Sequence, residues 1–98
     1  MRNMLTVVAH VRAKPGKEDE VRKGLRALLA PTRGEEGCIN YDMHESTETP
    51  GQFVFYENWT SRALLDEHLA SAHIRAFFAR IPELLAEQPR ITFWRRVE

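Results

Sequence analysis

CINYDMHESTETPGQFVFYENW, residues 38–59, decides the fold. Two runs rich in β-branched and aromatic residues flank TETPG, whose proline and glycine suit a tight turn, so the stretch reads as a β-hairpin. In the first run Ile39, Tyr41 and Met43 form the more apolar side. In the second, Phe53, Phe55, Glu57 and Trp59 share one side by period two, and Val54 and Tyr56 take the other. Upstream, NMLTVVAHVRA (3–13) alternates roughly, with Leu5, Val7, Ala9 and Val11 against Thr6, Val8, His10 and Arg12, and reads as a first strand. KPG (14–16) turns the chain. Val21, Leu25, Leu28 and Leu29 then recur at the spacing of an amphipathic helix, which Pro31, Gly34 and Gly37 end. Downstream, Thr60 is placed to cap SRALLDEHL, with Trp59 packing on Leu64 as a hydrophobic staple. Ser71 caps a second helix carrying Ile74, Phe77, Phe78 and Ile81, so a break falls near Ala70. Pro82 restarts or kinks that helix, Pro89 closes it, and RITFWRRV (90–97) is a last strand.

Strand, helix, strand, strand, helix, strand is the split βαβ order. It predicts a ferredoxin-like α+β domain over residues 1–98, with helices on one face of a four-stranded antiparallel sheet. The third strand carries large residues on both sides, and helices cover only one. Packing of the other face on a second sheet predicts a homodimer, a dimeric α/β barrel.

Fourteen basic residues balance fourteen acidic ones, with no basic block, which argues against nucleic acid or a polybasic membrane anchor as partner. A single cysteine, Cys38, excludes an intramolecular disulfide and fits a reducing cytoplasm; a buried, inert thiol is expected. The N-terminal apolar run is too short for a signal peptide, and no stretch is long enough to span a bilayer. The chain reads as soluble and cytoplasmic.

Four histidines are present, and HLASAH (68–73) sets two of them five positions apart. That spacing is not the i, i+4 pair of a metalloprotease helix, so no metal is expected, and the helix break gives the two rings separate roles. His68 follows Leu64 by four and faces the sheet, where a core histidine bonded to a backbone carbonyl is the plain alternative to a site. His73 lies in a first helical turn, whose positive end favours a neutral, proton-accepting ring. Glu57, a carboxylate among aromatics, needs either a partner, with Arg95 the candidate, or a raised pKa. Tyr41 either donates into a pocket or anchors the core. His10 and His44 fall by parity on the sheet face away from the helices. No glycine-rich phosphate loop, dinucleotide fingerprint or nucleophile elbow is present, so no tightly bound organic cofactor is expected.

FVFYENWTSRALLDEHLASAHIRAFF, with KPGKEDEVRKGL and GCINYDMHES, resembles the antibiotic biosynthesis monooxygenase family of the quinol monooxygenase-like type over nearly the whole chain. The most specific part is Glu57 and Trp59, then His68 and His73, in the order E-x-W…H-x-x-x-x-H, followed by Phe77 and Phe78. The resemblance implies a ferredoxin-like fold dimerising through its sheets and a pocket between sheet and helices. It also implies oxidation of a small phenolic, quinol or polyketide-type aromatic by O2 without metal or flavin. His68 is then the base and His73 the group that orients substrate. Phe53, Phe55 and Phe78 form aromatic walls, Tyr41 is a donor, and Glu57 and Trp59 contact substrate. Haem degradation, another activity of such domains, is disfavoured: Ala9 and His10 stand where an asparagine is needed, and the helices carry no tryptophan. An isomerase of a phosphorylated dione would need a basic residue at the pocket mouth, from Arg33, Arg75 or Arg80. A dimeric module that only binds aromatic or fatty ligands is the non-catalytic alternative.

Overall fold

The computed structural model describes residues 4–98; Asn3, included above in the first strand, lies outside them. β1 (Leu5–Arg12), β2 (Cys38–Glu45), β3 (Gln52–Trp59) and β4 (Arg90–Trp94) form one antiparallel sheet in the order β2-β3-β1-β4. Two helices, α1 (Glu18–Arg26) and α2 (Leu29–Arg33), connect β1 to β2. Three more, α3 (Arg62–Leu69), α4 (Ala72–Phe78) and α5 (Ile81–Leu84), connect β3 to β4. This is the ferredoxin-like α+β architecture. No helix among the described residues is long and apolar enough to cross a membrane.

Register brings the chemistry-bearing side chains together. β1 sets Val11 opposite Phe53, Ala9 opposite Phe55 and Val7 opposite Glu57, and β2 sets Tyr41 opposite Glu57 and Met43 opposite Phe55. Directly opposed residues share a face, so all of these point to the side the helices cover. There they join Val21 and Leu25 of α1, Leu65 of α3 and Ile74 and Phe77 of α4 in one core. On the other face a hydrogen-bonded row crosses three strands: the Thr6 hydroxyl donates to Asn58 Oδ1 (2.6 Å), and Asn58 Nδ2 donates to Asn40 Oδ1 (2.8 Å). Tyr56 and Trp94 stand on that face 46% and 57% exposed, and His10 and His44 flank Val54 there, as parity predicted.

Several local expectations are corrected. Ile39 is not on the apolar side of β2. The pairing slips between Cys38 and Asn40, and this bulge turns Ile39 outward to 43% exposure while Cys38 comes opposite Trp59. Cys38 is half-buried rather than buried, and burial raises its thiol pKa. Pro31 does not stop the helix, because it falls in the first turn of α2, where no intrahelical N–H is required; Gly34 ends it. Ser61, not Thr60, caps α3, its hydroxyl oxygen accepting from the Leu64 amide at 3.2 Å.

Gly37 holds the turn after α2 in place. Its φ is +87°, and a Cβ there would stand 2.6 Å from Leu64 Cδ1. The same residue's carbonyl accepts from the Thr60 amide at 2.9 Å, tying the start of β2 to the start of α3. Gly37→Ala combines a left-handed conformation with a collision, so a loss of about 1–4 kcal/mol is expected in urea unfolding. An unchanged midpoint would show that the turn can relax.

Candidate active site

Between sheet and helices lies a cavity of about 40 Å³. Its floor includes Ala9, Tyr41, Phe55 and Glu57; its roof includes His68, Phe77 and Phe78. That volume holds about two or three water molecules. Hydrocarbon and aromatic side chains make most of the wall, so Tyr41, Glu57 and His68 carry its polarity.

Glu57 is 4% exposed. Its Oε1 accepts from Trp59 Nε1 at 2.9 Å, so its partner is this indole and not Arg95. Burial first, and the charge of Glu35 as well, push its pKa up from 4.5 to about 7, against the pull of the indole hydrogen bond. At neutral pH the group is therefore poised between acid and carboxylate. Tyr41, opposite, is held as the neutral phenol: burial, then the Glu57 charge, raise its pKa well above the ordinary 10.

His68 is 2% exposed, and α3 carries it one turn after Leu65, the other fully buried residue of that helix. Its ring lies 4.7 Å from that of Trp59 and meets Tyr41 edge-on at 5.4 Å. Nδ1 is 2.8 Å from Glu35 Oε2, a carboxylate where the plain expectation was a backbone carbonyl. A carboxylate on Nδ1 holds the ring proton there and leaves Nε2 as an acceptor. Burial lowers the pKa of the ring, with Glu35 opposing, so the neutral form dominates at pH 7. Among the described residues no buried side-chain nitrogen or oxygen lacks a hydrogen-bond partner. Neither Nε2 of His68 nor the second oxygen of Glu57 has a hydrogen-bond partner among the described residues, so neither atom is fully enclosed, and both residues line the cavity.

Glu35 also reaches the second histidine. The same Oε2 lies 2.9 Å from His73 Nε2, which has the Thr32 hydroxyl at 3.0 Å and the Ser71 hydroxyl at 3.4 Å. The helix break at Ala70 makes this possible, since it lets rings five positions apart converge to 6.1 Å. Oε2 and the two nitrogens lie within 4.8 Å of one another.

Of the residues anticipated from sequence, Tyr41, Phe55, Glu57, His68 and Phe78 stand on the cavity wall. Phe53 is in the core beyond it, under the Arg22 guanidinium at 5.8 Å. Trp59 and His73 stand behind His68 and Glu35, off the wall. Arg33, Arg75 and Arg80 are absent from the wall too. Arg33 donates twice to the Tyr41 carbonyl, and Arg80 pairs with Glu20 and Glu83. A phosphate in this cavity would therefore meet no arginine. Glu35 and Thr32 were not anticipated. Glu35 sits in RGEEG, which reads as a solvated turn, and nothing local distinguishes it from the exposed Glu36.

Residues 4–80 match the family model described as Antibiotic biosynthesis monooxygenase. The chain belongs to that family. A relative in it, Rv0793 of Mycobacterium tuberculosis, is 36% identical over 92 residues, which span 94% of this chain and 90% of the relative. Its solved structure superposes with a TM-score of 0.89, covering 97% of this chain and 96% of that one. The Escherichia coli protein named Probable quinol monooxygenase YgiN is 30% identical over 84 residues, 76% of this chain and 81% of its own. An uncharacterized Synechocystis protein is 31% identical over 94 residues and longer, the match spanning 64% of its length and 96% of this chain. The family match stops at Arg80, so α5 and β4, which carries the cavity-lining Ile91, lie beyond it.

Proposed function

We propose that this chain is a cofactor-independent monooxygenase that oxidises a small phenol, quinol or polyketide-type aromatic with O2, acting as a cytoplasmic homodimer. The observation that carries the reading is the carboxylate of Glu35 on His68 Nδ1, behind a largely apolar cavity that His68 lines. His68 Nε2 takes the proton of the substrate hydroxyl. The phenolate gives one electron to O2, and the resulting radical pair combines into a carbon–peroxide. Loss of the proton on that carbon with cleavage of the O–O bond leaves a carbonyl, and the second oxygen departs as water. Glu57, near half-protonated at pH 7, faces the same space and supplies a proton to the departing oxygen. Tyr41, kept as the phenol, is a donor for the oxyanion.

The test is O2 uptake by chelator-treated protein over a panel of hydroquinones and polycyclic phenols. Saturable uptake with one oxygen atom in the product and one in water is expected. Saturable binding without uptake would leave a binding module, and uptake restored only by added metal would end the cofactor-free reading. The homodimer rests on the exposed Tyr56 and Trp94 beside the fixed Thr6–Asn58–Asn40 row. Sedimentation equilibrium is expected to give twice the chain mass, falling to the single mass in Tyr56→Lys/Trp94→Glu; a monomer for the unaltered protein sinks it.

A further inference from the structure

We propose that Glu35, His68 and His73 form a binding site for a first-row divalent metal ion, set behind the cavity wall and entered from the surface. Three segments converge there: the turn after α2, the last turn of α3 and the first turn of α4. Two imidazole nitrogens stand 2.8 and 2.9 Å from one carboxylate oxygen. In six-coordinate geometry with bonds of about 2.1 Å, neighbouring ligand atoms are separated by about 3.0 Å. Both observed edges are of that order, and an entering cation takes the place of the proton now held between nitrogen and oxygen, with Glu35 shifting to ligate it.

The donor set selects the kind of ion. Two imidazoles and one carboxylate, with positions left for water, suit Zn²⁺, Co²⁺ or Fe²⁺, whereas Ca²⁺ and Mg²⁺ prefer all-oxygen shells. No lysine or arginine among the described residues forms a salt bridge with Glu35, whose ion-pair partners are the two imidazoles alone. A divalent ion is the charge that this cluster does not otherwise contain. The Thr32 and Ser71 hydroxyls beside His73 Nε2 are acceptors for a metal-bound water. Access comes from the outer side, since the Glu35 and His73 side chains are 19% and 24% exposed and neither lines the cavity.

Metal and base exclude one another on His68. A cation on Nδ1 leaves the single proton of the neutral ring on Nε2, so the nitrogen assigned as the base changes from acceptor to donor. The ion is thus an off-switch for the base, a consequence that rests on the oxygenase reading; the metal site itself does not.

The experiment titrates ZnCl2 into the chelator-treated full chain by calorimetry and follows the histidine rings by long-range ¹H–¹⁵N spectra. One ion per chain is expected, with binding weakened more than about tenfold in both His73→Ala and Glu35→Gln. In the same titration the His68 ring proton moves from Nδ1 to Nε2. Absence of saturable binding up to about 1 mM Zn²⁺ overturns the site. So does unchanged affinity in the two variants, which would place the ion elsewhere, for instance beside His10 and His44. Binding that leaves the His68 proton on Nδ1 overturns the switch. Because none of these readouts uses turnover, a protein that consumes no O2 in the earlier assay still decides the proposal.

Discussion

His68→Ala is expected to lower O2 uptake by about 10²–10⁴-fold at saturating substrate, the range that a positioned general base contributes. The effect should fall on kcat far more than on KM, because the cavity wall is mostly hydrocarbon and remains. Removing a ring packed between Trp59 and Tyr41 also leaves a hole, at a cost of about 1–3 kcal/mol. Circular dichroism and unfolding midpoints must therefore accompany the rates. The hole supplies the decisive control. Free imidazole fits a space vacated by imidazole, so added imidazole should restore part of the lost rate if His68 moves a proton. A packing role predicts restored stability and no restored rate. Full turnover in the alanine variant would remove His68 from the chemistry.

Glu57→Gln is expected to stabilise the protein at alkaline pH by up to about 3 kcal/mol. The pKa of Glu57 rises from 4.5 in the open chain to about 7 in the fold, and one unit corresponds to 1.36 kcal/mol. The folded state thus holds this proton more tightly than the unfolded state. Below about pH 4.5 both states are protonated and the carboxyl carries no penalty. As pH rises to about 7 the unfolded chain ionises first, and stability declines; above about 7 the deficit is constant. Glutamine keeps an oxygen to accept from Trp59 Nε1 and never ionises. The urea midpoints of the two proteins should therefore coincide near pH 4 and separate progressively up to pH 8, with the variant higher. Parallel profiles would mean that water reaches the carboxylate freely. The same substitution removes the acid assigned to the departing oxygen, so greater stability should come with slower turnover, the exchange expected of a strained functional group.

The order of elements was legible, and with it the architecture, because period-two strands, helical spacing and turn residues act over a few positions. Features that depend on one-residue offsets were not legible. The bulge at Ile39 reverses its side without altering the composition around it, and Thr60 and Ser61 are equally good caps until the direction of the chain leaving Trp59 is known. At the site, the aromatic setting of Glu57 already demanded either a partner or a raised pKa, and the fold supplies an indole and a value near 7. Glu35 was out of reach for another reason. It lies 33 positions from His68, and its meeting with two imidazoles depends on the turn that Gly37 makes against Leu64. Spacing rules find ligands that share one helix, and a set assembled by tertiary contacts leaves no local trace.

The space under Phe77 and Phe78 is walled largely by hydrocarbon and aromatic side chains. A guest that enters it leaves water for apolar surface, so its binding is expected to carry a negative heat-capacity change. Affinities across a set of guests should then follow the apolar area they bury, and added salt should leave them nearly unchanged.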